Sequence, residues 1–395
     1  MAPEDELCLL LSRGELSAEV QRRALELLAL PPRWPLVLER VYAHQILPLF
    51  CRNLNQVGFP GVPEEVRAEL TSAFRANALR NTILTEELDR VLRLLGGAGV
   101  PVIPLKGTAL AESLYGDAAL RVCADIDILV PSKRFAEAFH RLVSEGYQTD
   151  FTDPRLVDLL ARYGKDCGLM RQELNWSYPL QLHAGLVWGG PTERALLEEV
   201  WAEAEPKTIH GVPAFALSPE WEFLYLAVHA ARHEPASLKW LVDIDQLCGL
   251  KKLRWATIRN HAQRCGWEDV ILSTLAACAA LLDTQVPSIF PAMKGNIVRR
   301  LPTPDTSGLH IARDLFFSLR LLKAPSQKLL FLAVRLFVPT PADYRFLLLP
   351  SFLFFLYPLL RPIRMACFFA VWLVQAGAKG LRRHLRLREK PASVR

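Results

Sequence analysis

The sequence predicts an α+β protein in which a small mixed sheet is embedded between N-terminal and C-terminal helical regions. Helical periodicity dominates the first 96 residues, including the long amphipathic stretch that begins "PEEVRAELTSAFRANALRN". Two short β-branched runs follow, "VPVIPLKG" and "DIDILVP", separated by the helix-like "TALAESLYG". From Ser218 onward the pattern is helical again. With 395 residues, the chain is long enough for two or three domains, or for one domain with helical extensions.

These changes along the chain divide it into four predicted regions. They are an N-terminal helical region (1–96), an α/β core (97–215), a helical domain (216–338) and a segment of apolar helices with a basic tail (339–395). In the core, "SKRFAEAFHRLVSEGY" predicts a helix capped by Ser132. The runs "CGLMRQEL" and "YPLQLHAGLV", separated by "NWS", predict a hairpin that extends the sheet.

The basic character of the chain is concentrated at its C-terminal end. The formal net charge is +6, but the residues from Arg345 onward contribute +9 and the residues before them −3. No extended nucleic-acid groove is therefore expected, and an anionic partner is expected for the tail alone. The eight cysteines lie at least thirteen residues apart, which excludes a CxxC pattern. The N-terminus lacks the pattern of a secretory signal, so a cytoplasmic protein is expected.

Two aspartates interrupt an apolar run at Asp125-Ile-Asp127-Ile-Leu-Val. On a strand, side chains two residues apart share a face, and two carboxylates on one face repel each other unless a cation lies between them. Mg²⁺ or Mn²⁺ suits such a pair. Upstream, Gly107 and Thr108 are placed at a strand-to-helix turn, where backbone N–H groups can hold a phosphate. The combination predicts metal-dependent phosphoryl or nucleotidyl transfer.

The same letters recur at Asp243-Ile-Asp245, where the surrounding pattern is helical. A helix turns residues two apart about 200° away from each other, so this second pair is predicted to be structural. Asp-x-Asp alone also occurs in sugar-nucleotide glycosyltransferases and haloacid-dehalogenase-type phosphatases. The upstream Lys-Gly-Thr turn favours a nucleotide substrate.

Residues 101–130, "PVIPLKGTALAESLYGDAALRVCADIDILV", closely resemble the signature of the uncharacterised nucleotidyltransferase family in the polymerase-β-like superfamily. The later "LQLHAGL" and "HAARHEPASLKWLVDI" are similar to that family too, so the resemblance covers about residues 40–250. It implies a polymerase-β-like fold and transfer of an NMP group from an NTP to a hydroxyl acceptor. The roles that it implies are metal ligands and catalytic groups for Asp125 and Asp127, and NTP binding for Lys106, Gly107, Thr108 and Arg121.

One position departs from the family pattern. The superfamily supplies a third carboxylate from a neighbouring strand, whereas this chain has Gln181 in "LQLH". A glutamine can coordinate through its amide oxygen, but it brings no charge and cannot act as a base. Two functions therefore stay open: an active enzyme with Gln181 at the catalytic position, or a catalytically impaired nucleotide-binding or scaffold protein. Glu173, across the predicted hairpin, is an alternative source of the third carboxylate.

Several other polar residues have two interpretations. Lys106 either contacts phosphate or is solvated, and Arg121 either binds nucleotide or pairs with an aspartate. His183 is a candidate for the acceptor pocket or a core residue. His229 and His233 lie on one face of a predicted helix, and HAARH lacks the glutamate of a zinc-protease helix. Packing or acceptor contact is therefore favoured for both over a zinc site.

The C-terminal segment contains two apolar runs, 346–360 and 365–378, separated by "RPIR". Each is shorter than the roughly 20 residues that span a bilayer. A single span through both runs would bury Arg361 and Arg364 at a cost of about 2.5–3.5 kcal/mol each. Two alternatives stay open: helices packed on the protein, or an interfacial hairpin with the basic tail on anionic lipid, which would make the protein membrane-peripheral.

Overall fold

The computed structural model describes residues 1–151, 153–186, 192–232, 237–250, 252–290, 301 and 310–369. The first helical region contains α1 (Pro3–Leu11), α2 (Ala18–Leu28), α3 (Trp34–Ala43), α4 (Leu47–Gln56) and α5 (Glu64–Gly97). The following region contains β1 (Ile103–Pro104), α6 (Gly107–Tyr115), β2 (Ile126–Leu129), α7 (Phe135–Ser144), α8 (Pro154–Arg162), β3 (Asp166–Glu173), β4 (Trp176–His183), α9 (Thr192–Ala202), β5 (Glu205–Ile209) and β6 (Val212–Ala216). The last region contains α10 (Pro219–Arg232), α11 (Leu238–Leu250), α12 (Trp255–Cys265), α13 (Glu268–Leu282), α14 (His310–Leu321), α15 (Pro325–Phe337), α16 (Pro341–Phe346) and α17 (Ser351–Phe369).

The central sheet has the strand order β1-β2-β4-β3. The strands β2 and β4 are parallel, and the other two pairings are antiparallel. The sheet is therefore small and mixed, with helices before and after it, which confirms the predicted α+β class. The predicted hairpin is also confirmed, because β3 and β4 pair from Asp166↔His183 to Glu173↔Trp176.

The alternation of side chains along β2 and β4 sets the two faces of the sheet. Ile126 and Ile128 on β2 and Leu180 and Leu182 on β4 are buried in one cluster with apolar side chains of α7 and α8. Asp127 on β2, and Gln181 and His183 on β4, consequently point to the opposite face of the sheet. Burial of the apolar face thus fixes the register of β2 against β4, and the polar side chains of both strands share the other face.

A second hairpin, β5–β6, was not predicted from the sequence. Its two turn residues, His210 and Gly211, have φ values of 48° and 80°, as a two-residue hairpin turn with positive φ at both positions requires. Pro206 and Pro213 obscure the strand pattern because proline is disfavoured in strands. The turn is held in place by His210, which lies between the carboxylates of Asp89 and Glu112.

The N-terminal helices and the helices after the sheet share one hydrophobic core, which includes side chains of α1, α4, α10, α11 and α13. Polar contacts join the same two regions. Arg13 pairs with Asp283 at 2.7 Å, and the Ser237 hydroxyl donates to the His44 carbonyl at 2.7 Å. Each region therefore depends on the other to bury its apolar side chains.

The C-terminal apolar segment differs from the prediction of two runs interrupted by "RPIR". The helix α17 continues through Arg361 and Arg364 to Phe369. Arginine is a good helix former, and Asp343 pairs with both arginines, through Oδ2 to Arg361 Nη1 and through Oδ1 to Arg364 Nε, each at 2.6 Å. Within the described residues, α17 is the one helix whose length and composition would suit a membrane span.

Lys165, which precedes β3, gives a testable dependence of stability on pH. Burial, followed by the charges of Arg361 and Arg335, lowers the pKa of Lys165 to about 7. In the unfolded chain a lysine titrates near 10.4, so between about pH 7 and 10.4 the unfolded state binds more protons and stability rises with pH. We expect Lys165→Met to remove this slope, which is at most about 1.4 kcal/mol per pH unit, and to increase the free energy of unfolding at neutral pH.

Urea unfolding at about pH 7 and about pH 10 checks this expectation, because both values lie in the range where the unfolded state binds more protons than the folded state. The control is Lys328→Met, which changes an exposed lysine on α15. Equal pH slopes in the wild type and Lys165→Met would contradict the account.

Candidate active site

The strand β2 brings the two predicted aspartates to the polar face of the sheet. Asp127 lies within β2 and is 4% exposed, and Asp125 directly precedes the strand and is half-buried. On the neighbouring parallel strand, Gln181 is the register partner of Asp127. The structure therefore brings Gln181 next to the acidic pair, as the sequence predicts, and the catalytic roles of these residues stay predictions.

Asp127 is held by two side chains from different elements. Lys106 Nζ lies 3.1 Å from Asp127 Oδ2, and His183 Nε2 donates to Asp127 Oδ1 at 2.9 Å. Although burial opposes it, the hydrogen bond from His183 and the charge of Lys106 hold the pKa of Asp127 at about 2. Asp127 is consequently a fixed, ionised carboxylate at neutral pH.

Asp125 is in a different electrostatic environment. Burial, followed by the negative charge of Asp127, raises the pKa of Asp125 above its ordinary value. The two carboxylates repel each other when both are ionised, which raises the free energy of that state. A cation close to both would lower the free energy of the doubly ionised pair.

The predicted phosphate turn begins the helix α6. Gly107 has φ +70°, a left-handed conformation that glycine adopts without strain, and Thr108 is 3% exposed. A Cβ atom added to Gly107 would lie 3.4 Å from the carbonyl oxygen of Asp125. The N-terminus of α6, where backbone N–H groups are free of intrahelical partners, is therefore adjacent to the acidic pair.

We expect Gly107→Ala to weaken nucleotide binding, because the left-handed backbone is strained by a side chain and the turn must shift. The matched control is Gly116→Ala at the other end of α6, where φ is +71° but an added Cβ would meet nothing within 4 Å. Each substitution is expected to reduce the free energy of unfolding by about 1–2 kcal/mol. In calorimetric titration with NTP, a weaker affinity is expected for Gly107→Ala alone. Equal affinities in the two variants would contradict the assignment of the turn.

The surroundings of Gln181 show whether Glu173 could supply the third carboxylate that this position lacks. Its partner across the antiparallel β3–β4 pair is Gly168, and the Gln181 amide group lies over this glycine. Glu173 pairs with Trp176 at the end of the hairpin, five residues from Gly168, or roughly 17 Å along the strand. Its carboxylate binds Arg171. Glu173 is therefore far from the aspartates, and the alternative that it replaces the third acid is wrong.

Arg121 is buried in a structural ion pair with the second Asp-Ile-Asp sequence. Its Nε lies 3.0 Å from Asp243 Oδ2, and both side chains are at most 4% exposed. Tyr115 also donates to Asp243, at 2.8 Å. Asp243 and Asp245 lie on the helix α11 as predicted, and Asp245 accepts from Thr284 at 2.5 Å. In this structure the Arg121 guanidinium binds the Asp243 carboxylate. Nucleotide binding by Arg121 stays a prediction.

The helix α10 lies on the aspartate side of the sheet. Burial, followed by the charges of Asp127 and Asp125, raises the pKa of its Tyr225 well above the ordinary value. The His229 ring packs 5.9 Å from the Tyr225 ring and 5.2 Å from the Trp240 ring. Of the three histidines predicted for the acceptor pocket, His183 contacts Asp127, and His229 packs against Tyr225 and Trp240. His233 lies outside the described residues.

Three polar residues of α5 that the sequence analysis missed support the loop before β2. Asn77 and Asn81 donate to the Arg121 carbonyl at 3.2 and 2.7 Å, and Arg80 donates to the Ala124 carbonyl at 2.6 Å. Their spacing of three and four residues places them on one face of the helix. This row of polar residues on an otherwise amphipathic helix could have predicted that the face makes polar contacts. Together they fix the backbone that leads into Asp125.

A second group of ionisable residues lies elsewhere, between α9 and α12. Within the described part of the chain, Glu199, Glu203 and His261 are the one group of three whose ligand atoms lie within 4.8 Å of one another. Arg264 already binds both oxygens of Glu199. His261 Nδ1 and Nε2 lie 3.3 and 3.5 Å from carboxylate oxygens of Glu199 and Glu203, so polar contacts across this group join the two helices.

Asp127 lies on an inner strand of the small mixed sheet, with Asp125 directly before the strand and a Gly-Thr helix turn beside the pair, which is the arrangement that the sequence predicts for a nucleotidyltransferase core. The model of the uncharacterised nucleotidyltransferase family matches residues 31–283, more than half of the 395 residues, and the chain belongs to this family.

Among solved structures, the chain is similar to an antigenic nucleotidyltransferase-like protein from Paracoccidioides brasiliensis. The identity is 13% and the TM-score 0.31, over 51% of this chain and 96% of the other. No curated protein matches the chain.

Proposed function

We propose that this protein is a metal-dependent nucleotidyltransferase that moves an NMP group from an NTP to a hydroxyl group of a small molecule, peptide or protein. The observation that carries the proposal is the position of Asp127, in register with Gln181 and bound by Lys106 from the phosphate turn. Membership of the nucleotidyltransferase family supports the reaction class. The NTP and the acceptor hydroxyl are parts of the proposal.

The carboxylates of Asp125 and Asp127 fit a divalent cation. Burial, followed by the negative charge of Asp127, raises the pKa of Asp125, and carboxylate oxygens are ligands that suit Mg²⁺ or Mn²⁺. When bound there, the metal would neutralise charge on the triphosphate during transfer. Gln181 would contribute an amide oxygen without charge.

The remaining residues would bind and orient the nucleotide. The free N–H groups of Gly107 and Thr108, at the positive end of α6, would hold phosphate oxygens. Lys106 would supply a positive charge between the phosphates and Asp127. His183 would act as a positioning residue, because its hydrogen bond fixes the orientation of the Asp127 carboxylate.

Transfer of labelled nucleotide tests the proposal. The full chain is incubated with each of the four NTPs labelled on the α-phosphate, with Mg²⁺ or Mn²⁺, and with hydroxyl-bearing small molecules, peptides and proteins as acceptors. We expect label on an acceptor only when a divalent cation is present. Label that appears equally in the presence of a chelator would contradict the metal-dependent reaction.

A second candidate function is a nucleotide-binding or scaffold protein on the same fold that has lost catalysis. The neutral Gln181 favours it, since the position that should hold the third carboxylate lacks a charge and Glu173 lies at the far end of the hairpin. Metal-dependent NTP binding without transfer to any acceptor would favour this candidate.

A substitution at Gln181 distinguishes the two candidates. If the neutral amide limits catalysis, Gln181→Glu adds a third carboxylate next to Asp127, and transfer is expected to increase by about tenfold or more. The control is Gln172→Glu, which adds the same charge at an exposed position of β3. Initial rates of label transfer measure the effect. An unchanged or lower rate in Gln181→Glu would show that the amide does not limit transfer.

A further inference from the structure

The helix α17 buries two side chains with polar groups and leaves several of its large apolar side chains exposed. Tyr357 and Arg361 point into the protein and are 1% and 5% exposed. Only 11% of the most apolar part of the helix is buried in the protein. A helix that packs on a soluble core normally has the opposite arrangement.

The exposed surface of α17 carries a row of large apolar side chains. Phe352, Phe355, Leu359 and Ile363 recur at intervals of three or four residues, which places them on one side of the helix. They are 58–75% exposed. Phe346, Leu347 and Leu348, which precede the helix, and Phe368 and Phe369, at its C-terminal end, are also exposed. We call these nine side chains the apolar face.

Polar contacts fix α17 on the protein. Asp343 is buried beneath it and binds both Arg361 and Arg364, and Arg361 also donates to the Arg335 carbonyl at 2.9 Å. At its N-terminus, the helix is held by Arg155, which donates to the Ser351 carbonyl at 2.5 Å. Insertion of α17 across a bilayer would break these contacts and expose buried charges to lipid. The apolar face is thus presented by a helix that lies along the surface.

The sequence that follows the helix is basic. Residues 379–395 contain seven Lys or Arg and one acidic residue, and they begin ten positions after Phe369. Surface apolar side chains next to clustered basic residues are a combination that binds anionic lipid. The apolar side chains are buried among the acyl chains, and the basic residues are attracted to the anionic headgroups. A soluble protein partner would not require both features together.

We propose that the apolar face docks on an anionic lipid bilayer, with α17 lying in the interface and the basic tail on the headgroups. The protein is then a peripheral membrane protein, held by its C-terminal helix. This inference is independent of nucleotidyl transfer.

Co-sedimentation of the full chain with vesicles tests the inference. The vesicles contain phosphatidylcholine alone or phosphatidylcholine with phosphatidylglycerol. Phe352→Ser/Phe355→Ser removes part of the apolar face, and Leu359→Ser/Ile363→Ser provides a second, independent pair. The matched control is Leu30→Ser/Leu174→Ser, which changes two apolar residues elsewhere that are 71% and 97% exposed. Circular dichroism confirms that each variant is folded.

We expect the wild type and the control to bind the anionic vesicles, and each variant of the apolar face to bind at least about tenfold more weakly. Arg382→Gln/Arg383→Gln/Arg386→Gln/Arg388→Gln is expected to lose the preference for anionic vesicles, and high salt to release the wild type.

Two results would overturn the inference. In the first, the apolar-face variants bind vesicles as tightly as the control. In the second, the wild type binds no vesicles but forms a dimer that Phe352→Ser/Phe355→Ser abolishes, which light scattering would detect. That result would assign the apolar face to a second copy of the chain.

Discussion

Asn in place of Asp127 is expected to abolish nucleotidyl transfer and to leave the fold intact. The substitution removes one of the two charges that would hold the divalent cation, at the residue bound by both Lys106 and His183. Loss of a single electrostatic contact in an active site commonly reduces the rate by a hundredfold to a thousandfold, and a reduction of at least about a hundredfold is expected here. Transfer of label from α-labelled NTP measures it.

The control for this substitution is Asp158→Asn, which makes the same chemical change at an exposed position of α8. Thermal unfolding of both variants tests whether they are folded. If Asp127→Asn retains the transfer rate of Asp158→Asn, the acidic pair is not the catalytic site.

The largest loss of stability is expected for Asp243→Asn. The change leaves the Arg121 guanidinium, buried to 96% of its side-chain surface, without a countercharge. Removal of one partner from a buried ion pair costs about 3–5 kcal/mol, because the remaining charge is desolvated and unpaired. The free energy of unfolding, measured with urea, should fall by about this amount.

Two further variants test whether the unpaired charge of Arg121 causes the loss of stability in Asp243→Asn. Asp245→Asn, two residues along the same helix, changes an aspartate that accepts a hydrogen bond from Thr284 and should have a smaller effect. The double variant Arg121→Met/Asp243→Leu removes both charges and should recover most of the lost stability. A loss below about 1 kcal/mol in Asp243→Asn would show that Arg121 does not depend on this partner.

The sheet and the acidic pair could be predicted because their signals are local. Asp125 and Asp127 lie in a run whose apolar residues alternate with them, and that alternation fixes which face each side chain takes. The β3–β4 hairpin followed from two short runs separated by a few turn residues. The position of Gln181 next to Asp127 then follows from burial of Leu180 and Leu182 on the other face.

Contacts between distant parts of the chain could not be predicted. Arg121 and Asp243 are 122 residues apart, and nothing in either sequence context identifies the other as its partner. The burial of Arg361 depends on Asp343, because the two charges compensate each other only when the chain folds back. The β5–β6 hairpin was missed for a local reason, since its prolines resemble loop positions.

The central claim is that the acidic pair and the phosphate turn form a metal-dependent nucleotide site. Its most direct test is calorimetric titration of the protein with non-hydrolysable analogues of the four NTPs, with and without Mg²⁺, beside Asp125→Asn/Asp127→Asn. At least one nucleotide is expected to bind when Mg²⁺ is present, and the double variant is expected to lose this binding. Binding that is the same without Mg²⁺ and in the variant, or no binding of any NTP, would contradict it.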